Sequence, residues 1–399
     1  MKLLIAIPAL NEEDAIEDII ERSLAARAFI LSNSPVTDVE ITVVSDGSTD
    51  ATEEKARRYL DRIHVIVFPK NRGYGAAIKE AWRQSDAELL GFIDADGTCD
   101  PKFFASLCAK LDKDDADVVL GCRLNEDSRM PLIRRVGNVL FATILTAFSS
   151  KKVRDTASGM RVVRRSSLDR LYPLPDGLHF TPAMSARAIL SPAITIVEVN
   201  MPYHERTGES KLRVGKDGLR FLKVIVEAAF LYHPSRPLGV AAVVLMAAAA
   251  ALMAPPAIYY LQHRVLEEWM IYRFIVSQIF AIAACLCLCA SYLTGRIVDL
   301  TLADEAFESR YSRSVRFFQS RGFWLVPALL SFGGTILVFR GFLQLITTGH
   351  VTEHWSRFVV MSFCFSAATI LAVTRAVDYI LELLRERLQY VRKLKNRNQ

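Results

Sequence analysis

Hydrophobic and polar residues follow different patterns in the two halves of the chain. Up to about Tyr232 apolar and charged residues are mixed as in a globular domain, whereas long uncharged runs follow Pro237. A helix that crosses a bilayer needs about 20 apolar residues. Four runs reach that length, and we predict that they span a membrane, at 237–261, 274–295, 323–346 and 358–380.

In the first half, short apolar runs alternate with segments of helical periodicity. Strands separated by helices imply a mainly parallel sheet with helices on both faces, so the predicted fold class is α/β. The first apolar run is short and acidic residues follow it at once, which indicates a buried strand rather than a signal peptide. We therefore expect this half to stay in the cytoplasm. The predicted strands are 3–7, 40–44, 63–67 and 88–93, and the predicted helices are 12–26, 49–60 and 75–84.

Polar clusters follow three of these strands, at 8–12, 45–48 and 94–96. Ligands of parallel sheets bind beyond the carboxyl ends of the strands, so we expect the three loops to meet at one crevice. Asp94 and Asp96 are spaced to reach the same divalent cation, which in turn bridges a diphosphate. Oxygen ligands suit Mg²⁺ or Mn²⁺. Asp-Ala-Asp alone is a weak signal, because acidic pairs are common in loops.

Charge and cysteine content refine this picture. The chain has 399 residues, a net charge of +6 and seven cysteines, none with the spacing of a zinc site or a disulfide framework. Basic residues crowd the segments 213–236 and 385–397, beside the predicted spans, where anionic lipid head groups are better partners than nucleic acid. Five arginines between the second and third spans place that loop, and both termini, in the cytoplasm by the positive-inside rule.

A helix is also predicted at 215–230, between the two halves. It places an apolar stripe on one face and charged residues on the other, which is typical of a helix lying at a membrane surface. The alternative is an ordinary helix that packs its stripe into the core. The stripe consists of Leu219, Leu222, Val226 and Phe230.

Six motifs in a fixed order make the first 235 residues similar to the family 2 glycosyltransferases, which have the GT-A fold. Within that family the chain resembles the polyprenyl-phosphate glycosyltransferases, the type that includes dolichyl-phosphate mannose synthase and bacterial undecaprenyl-phosphate glycosyltransferases. The motifs are IPALNE at 7–12, VSDGSTD at 44–50, NRGYGAA at 71–77, DADG at 94–97, DTASGMR at 155–161 and RTGESKL at 206–212.

The resemblance implies roles on the donor side of the site. It places Asp46 at the base or ribose and Asp94 and Asp96 at the metal and diphosphate. It lets Gly73 and Gly75 bring backbone close to the nucleotide. The alternative for both glycines is a turn before a helix, and this alternative is favoured for Gly73 alone. Two positions depart from the pattern: Thr98 and Tyr74 stand where many relatives carry glutamine and lysine. The nucleotide pocket would be lined by Pro8, Ala9, Asn11 and Glu12.

On the acceptor side, a polyprenyl phosphate is largely ionised at neutral pH because its second pKa is about 6. Such a nucleophile needs cations that bring it to a second anionic substrate rather than a general base. Asp155, assigned as a base in some relatives, is therefore expected to hold Arg161 or Lys211 or to orient a sugar hydroxyl. For the pair Arg134 and Arg135 the alternative is a solvated helix face. The candidate cationic and polar groups are Arg123, Arg134, Arg135, Arg161, Ser210 and Lys211.

Together these observations predict an inverting, metal-dependent transfer of a sugar from a nucleoside diphosphate to a polyprenyl phosphate. Two rivals are a processive polysaccharide synthase and an inactive, transferase-like lipid-carrier translocase or scaffold. The chain lacks the Gln-x-x-Arg-Trp motif typical of the first, and intact acidic motifs argue against the second. A homo-oligomer is left open. The expected parts are a GT-A domain at 1–212, an interfacial region at 213–235, a transmembrane domain at 236–384 and a basic tail at 385–399.

Overall fold

A computed structural model of the protein describes residues 1–125, 130, 132–149, 151–204, 214–302 and 312–397. The chain forms two units, Met1–Tyr232 and His233–Gln399. Most of the segment expected to lie at the membrane surface therefore belongs to the first unit.

The first unit is built on a seven-stranded sheet of order β3-β2-β1-β4-β6-β5-β7. β6 runs antiparallel to its neighbours β4 and β5, and the other pairs are parallel. The predicted α/β class is confirmed, and the four predicted strands are the first four. The strands are β1 (Lys2–Ala9), β2 (Asp38–Asp46), β3 (His64–Phe68), β4 (Leu89–Phe92), β5 (Val118–Cys122), β6 (Arg161–Arg164) and β7 (Ile196–Asn200).

Helices cover both faces of this sheet. Successive side chains of a strand point to opposite faces, and in β1 the residues Leu3 and Ile5 join one apolar core while Leu4 and Ala6 join another. The apolar run at the start of the chain is thus a strand buried on both sides. The helices of this unit are α1 (Ile16–Asn33), α2 (Thr52–Arg57), α3 (Tyr74–Gln84), α4 (Phe103–Lys113), α5 (Leu132–Phe148), α6 (Leu168–Leu171), α7 (Phe180–Leu190) and α8 (Val214–Tyr232).

The carboxyl ends of β1, β2 and β4 lie at one edge of the sheet. β1 pairs with β2 up to Ala9 and Ser45, and with β4 up to Ala6 and Phe92. The polar clusters that follow these strands therefore start side by side, as the sequence predicts.

The apolar stripe of α8 faces outward. Leu219 is 71% exposed and Phe230 is also exposed, whereas Ile225 and Ala229 pack into the core. The alternative in which this stripe packs into the core does not match the structure. An outward apolar stripe is what a helix at a membrane surface requires.

The second unit is helical. Four of its helices are long and apolar enough to cross a membrane, and they contain the four predicted spans. The last helix continues well beyond the predicted fourth span, so the basic residues from 385 to 397 lie on a helix. The helices are α9 (Ser235–His263), α10 (Ile271–Leu302), α11 (Ser312–Gln319), α12 (Leu325–Thr348) and α13 (Trp355–Arg397).

A buried polar cluster joins α10 to α13 inside this unit. Asp378 is fully buried, and its Oδ1 accepts hydrogen bonds from the Tyr292 hydroxyl at 2.9 Å and from Nε of Arg296 at 3.1 Å. Its Oδ2 accepts a third from Arg375 at 3.0 Å. A buried carboxylate paired in this way avoids most of the cost of an isolated charge.

Candidate active site

The loops after β1 and β2 are tied together by hydrogen bonds. Oδ1 of Asn11 accepts the backbone N–H of Thr49 at 2.8 Å, and the N–H of Asn11 donates to the Ser48 hydroxyl at 3.1 Å. Asn11 has φ of 49°, a left-handed conformation that asparagine tolerates better than most residues. Next to it, the N–H of Glu12 donates to the Thr52 hydroxyl. These bonds fix the edge of the predicted nucleotide pocket, where Pro8 and Ala9 are buried.

Asp46, at the end of β2, holds the loop that precedes α3. Its two carboxylate oxygens accept the backbone N–H groups of Arg72 at 2.6 Å and Gly73 at 2.9 Å. Burial raises the pKa of Asp46 above its usual value, and these hydrogen bonds oppose that shift.

Two glycines of this loop allow a close approach to the segment that precedes α7. Gly73 has φ of 107°, and a Cβ there would lie 2.5 Å from the carbonyl oxygen of Asp176. A Cβ at Gly75 would overlap the carbonyl oxygen of Pro175. Both glycines are thus required for backbone packing, and the turn before α3 accounts for Gly73.

The next contact in the site joins the side chains of Tyr74 and Asp94. The Tyr74 hydroxyl donates to Oδ1 of Asp94 at 2.6 Å, and its ring packs edge-on against Phe92 and Phe180. Burial, and then the Asp94 carboxylate, raise the pKa of Tyr74 well above its usual value, so the phenol keeps its proton. The segment 72–74 is therefore held by Asp46, at the end of β2, and by Asp94, just after β4. These two strands lie on either side of β1.

Thr98 orients the second aspartate. Its hydroxyl and its N–H both donate to Oδ1 of Asp96, at 2.6 and 3.2 Å. The neighbouring backbone is held from α1, where Arg22 donates to the carbonyl oxygens of Gly97 and Cys99. Thr98, at the position where glutamine was expected, is thus hydrogen-bonded to Asp96. Arg22 supports this loop, and it was not predicted from the sequence.

Gly159 lies directly against Asp94. A methyl group at this position would overlap the Asp94 carboxylate. The segment 155–161, which begins with Asp155, therefore comes within van der Waals distance of the first aspartate of the acidic motif.

Asp155 and Arg123 form a buried ion pair. Nε and Nη2 of Arg123 donate to the two oxygens of Asp155 at 2.8 and 2.9 Å, and the Arg123 backbone N–H adds a third bond at 2.9 Å. Burial raises the pKa of Asp155, but the charge and hydrogen bonds of Arg123 outweigh it and hold the pKa below its usual value. Among the described residues, the cation bound to Asp155 is thus Arg123 and not Arg161, while Lys211, the other expected cation, lies outside the described residues.

Asn138, on the inner face of α5, completes this ion pair. Its Nδ2 donates to Oδ1 of Asp155 at 2.5 Å, and its Oδ1 accepts the N–H and hydroxyl of Thr156 at 2.9 and 2.8 Å. Sequence reasoning missed this residue, because the only signal is a lone asparagine within an apolar helix.

Arg161 is fully buried, and protein groups surround its guanidinium. Its guanidinium donates to the carbonyl oxygens of Ser158 and Thr156 and to the Ser185 hydroxyl, at 2.9–3.0 Å. Burial lowers its pKa to about 10, so the group is still charged at neutral pH. These contacts fix the loop that carries Gly159.

Tyr203 connects the acidic and basic groups of the site. Its ring lies 5.3 Å from the Arg123 guanidinium. Burial raises the pKa of Tyr203, Arg123 lowers it, and Asp96 and Asp94 raise it. The backbone N–H of the next residue, His204, donates to the carbonyl oxygen of Thr98 at 3.0 Å, so the segment that carries Tyr203 contacts both Arg123 and the loop of Asp96.

Four predicted residues have no observed place at this site. Arg135 is exposed on α5. The side chain of Arg134, and all of Ser210 and Lys211, lie outside the described residues.

The chemistry of Asp94 and Asp96 fits an oxygen-ligated divalent cation. Within the described ranges, no group of three or more His, Cys, Asp or Glu side chains is arranged to hold a metal. A cation held by these two carboxylates would complete its shell with diphosphate oxygens and water, the usual arrangement for Mg²⁺ at a phosphorylated substrate.

Comparison with known proteins identifies the family. Residues 4–172 match the model described as "Glycosyl transferase family 2". The dolichyl-phosphate hexose transferase of Haloferax volcanii is 32% identical over 56% of this chain and 92% of its own length. The low-salt glycan biosynthesis hexosyltransferase Agl6 of the same organism is also 32% identical, over 61% of this chain and 59% of its own length. The chain belongs to the family 2 glycosyltransferases.

Among solved structures, the chain is similar to glucosyl-3-phosphoglycerate synthase from Mycobacterium tuberculosis in complex with Mn²⁺, UDP and glucosyl-3-phosphoglycerate. The identity is 19% and the TM-score 0.44, with 57% of this chain and 79% of that chain covered.

Proposed function

We propose that this glycosyltransferase moves a sugar from a nucleoside diphosphate to a polyprenyl phosphate, with inversion at the anomeric carbon. The observation that carries the proposal is the Arg123–Asp155 ion pair beside Asp94 and Asp96. One site then offers carboxylates for the departing diphosphate and a fixed guanidinium for the incoming phosphate. The name of the dolichyl-phosphate hexose transferase supports the same acceptor class.

On the donor side, Asp94 and Asp96 would hold Mg²⁺ or Mn²⁺. The ion would neutralise the diphosphate as it leaves. Tyr74 and Thr98 keep one oxygen of each carboxylate in place by hydrogen bonds. The nucleotide would lie along the loops that follow β1 and β2, where Pro8, Ala9, Asn11, Glu12 and Asp46 lie, with Gly73 at the turn before α3.

On the acceptor side, Arg123 would bind the lipid phosphate. Guanidinium groups bind phosphates through paired N–H donors. Asp155 acts as a positioning residue: it is fully buried, both of its oxygens accept hydrogen bonds, and its pKa is lowered. A group in this state is a poor proton acceptor, and an ionised phosphate does not require one.

The membrane helices would place this chemistry at the lipid. By the positive-inside rule, both termini and the catalytic unit face the cytoplasm. We propose the cell inner membrane and the biosynthesis of cell-envelope glycans as the setting, with the nucleotide sugar, the polyprenyl phosphate and the bilayer as partners. Neither nucleic acid nor a particular oligomeric state enters this scheme.

The test is a transfer assay on membranes that contain the full chain. Radiolabelled nucleotide sugars with UDP or GDP are supplied with a polyprenyl phosphate. We expect a labelled product that is soluble in chloroform and that is lost in Asp94→Ala. The screen also identifies the sugar and the nucleotide.

Three results would contradict the proposal. A labelled polymer would favour a processive synthase. No product with any sugar, from membranes with verified protein, would favour an inactive translocase or scaffold. Unchanged activity in Asp94→Ala would contradict the proposed role of the acidic motif.

A further inference from the structure

Arg22 of α1 contacts the backbone on both sides of Thr98. Its Nη1 donates to the carbonyl oxygen of Gly97 at 3.2 Å, and its Nη2 donates to the carbonyl oxygen of Cys99 at 3.0 Å. Cys99 is buried, and a carbonyl oxygen at such a position needs a partner from the protein. One planar side chain therefore holds two peptide units of the loop that carries Asp96.

The peptide unit that joins Gly97 to Thr98 connects Arg22 to the second aspartate of the acidic motif. Its carbonyl oxygen accepts the bond from Arg22, and its N–H, which belongs to Thr98, donates to Oδ1 of Asp96 at 3.2 Å. A peptide unit is planar, and its N–H and C=O groups point in opposite directions. A rotation of this unit would change both hydrogen bonds together, so Arg22 restrains a donor that orients Asp96.

Gly97 makes this restraint important. Its φ is 74°, and glycine has the widest choice of backbone conformations of any residue. The Thr98 hydroxyl also donates to Oδ1 of Asp96, at 2.6 Å, but its direction depends on the backbone of Thr98. The contacts from Arg22 therefore fix the part of the loop whose own sequence restrains it least.

The position and the charge of Arg22 both suit this role. The helix α1 is anchored in the core by Ile19 and Ile20, which are fully buried. Hydrogen bonds from a charged donor are stronger than neutral ones, and hydrogen bonds in a chain polarise one another. Arg22 also pairs with Asp18 at 3.2 Å, but an exposed ion pair of this kind contributes little. The bonds to the loop are therefore the main contacts of the guanidinium.

We propose that Arg22 is a positioning residue for the bound cation, which raises the affinity of Asp96 for Mg²⁺ or Mn²⁺ by holding the peptide unit between Gly97 and Thr98. The inference rests on the part of the proposed function in which Asp94 and Asp96 hold that cation. It does not depend on the identity of the acceptor. Groups that orient metal ligands from outside typically change metal affinity by about 10–100-fold.

A second arginine of the same helix provides a matched control. Arg27 is partly buried, as Arg22 is, and its Nη2 donates to the carbonyl oxygen of Arg62 at 2.9 Å. Arg62 precedes β3, so this contact lies at the amino ends of the strands, away from the acidic motif. Arg22→Met and Arg27→Met each remove contacts between a guanidinium and carbonyl oxygens, but only Arg22→Met affects the loop of Asp96.

The test is the affinity of the full chain in nanodiscs for Mn²⁺, measured by electron paramagnetic resonance of the free ion with UDP and, in parallel, with GDP. We expect about tenfold weaker binding in Arg22→Met and wild-type binding in Arg27→Met. Wild-type affinity in Arg22→Met overturns the proposal. An equal loss in the two variants also overturns it, because it would identify a general loosening of α1.

Arg22→Lys keeps the inference testable if Arg22→Met does not fold. Lysine keeps the charge but replaces the planar fork by a single ammonium, so we expect a Mn²⁺ affinity below that of the wild type. Unchanged affinity in this variant overturns the proposal.

A kinetic measurement adds a second readout. In steady-state assays, Arg22→Met should raise KM for the nucleotide sugar and leave KM for the polyprenyl phosphate unchanged, because the cation binds the donor. A rise in the acceptor KM alone overturns the proposal.

The outcomes separate this inference from the proposed function. Transfer to a polyprenyl phosphate with wild-type Mn²⁺ affinity in Arg22→Met would contradict only the role of Arg22. Weaker Mn²⁺ binding in Arg22→Met without any transfer by the wild type would contradict the proposed acceptor and retain the role of Arg22. A wild-type chain that binds no Mn²⁺ with either nucleotide would contradict both.

Discussion

The hydroxyl of Tyr74 donates a 2.6 Å hydrogen bond to Asp94, the first aspartate of the acidic motif. Tyr74 is partly buried and its ring packs against Phe92 and Phe180, so the position of this hydroxyl is fixed by packing. Where many relatives carry a lysine that can contact phosphate, this chain has a residue that orients a carboxylate instead. A cation bound at Asp94 would therefore meet an oxygen whose direction is already set.

Removing that hydroxyl should weaken cation binding. For Tyr74→Phe we expect roughly tenfold lower affinity for Mn²⁺ in the presence of UDP, in the range reported for residues that orient metal ligands. Electron paramagnetic resonance of free Mn²⁺ measures this without catalysis. Tyr59→Phe is the control, because it removes a surface hydrogen bond to Glu21. Equal affinities in the two variants would contradict the role of Tyr74.

The geometry of Arg123 should matter more than its charge. Arg123→Lys keeps the charge but loses the paired donation to Asp155, and lysine binds phosphate only as a point charge. We expect KM for the lipid acceptor to rise by about tenfold or more while KM for the donor stays constant. Arg154→Lys, at an exposed arginine paired with Glu198, should change neither value. A rise in the donor KM alone would assign Arg123 to the nucleotide instead.

Asp155→Asn distinguishes a positioning residue from a general base. Loss of a base lowers kcat by about a hundredfold or more. We expect a smaller change in kcat and a raised acceptor KM, because Arg123 loses its partner. A hundredfold loss in kcat with an unchanged acceptor KM would identify Asp155 as the base.

Asp155→Asn should also lower the melting temperature of the protein. Breaking a buried ion pair costs about 3–5 kcal/mol, so Asp155→Asn should melt at a lower temperature at pH 7. The folded pKa of Asp155 is lowered, so its contribution is present above the unfolded pKa of about 3.9 and is lost as the pH falls through the folded value. The difference in melting temperature should therefore shrink below about pH 4. A constant difference between pH 7 and pH 3 would contradict the ion pair.

Gly159 is not part of the acidic motif, but Gly159→Ala should displace the Asp94 carboxylate. The added methyl group would overlap the Asp94 carboxylate, which must rotate away. We expect loss of Mn²⁺-dependent UDP binding, measured by calorimetry, with a melting transition retained. Gly333→Ala in α12 is a suitable control, because a Cβ there meets nothing within 4 Å. UDP binding of wild-type strength in Gly159→Ala would contradict the close approach.

Local patterns made part of this molecule predictable. The strand β1 and the four spans are uninterrupted apolar runs, a short one and four long ones, and the polar loops were located from the ends of the strands. The last three strands were not predicted. β6 is only four residues long and lies between β4 and β5 in the sheet, out of chain order. Its position depends on pairing that no local signal records.

The contacts between residues of the site were harder to predict from the sequence than the strands and spans. Asp155 and Arg123 are 32 residues apart and Tyr74 and Asp94 are 20 apart, so charge and spacing indicated the participants but not the pairs. Arg161, at the end of the motif that begins with Asp155, was expected among the cations for the acceptor. The fold instead surrounds it with carbonyl oxygens. Asn138 was not predicted, because the sequence of an apolar helix does not show which of its faces points inward.

The ion pair between Arg296 and Asp378 has a consequence for how the membrane unit is made. Arg296 directly follows the predicted span 274–295, and its partner lies 82 residues later. At about 5–20 residues per second, a ribosome needs about 4–16 s to supply it. During that interval the guanidinium can stay at the level of the head groups. The pair therefore imposes an order on biogenesis, in which Arg296 becomes buried only once α13 has emerged and packs against α10.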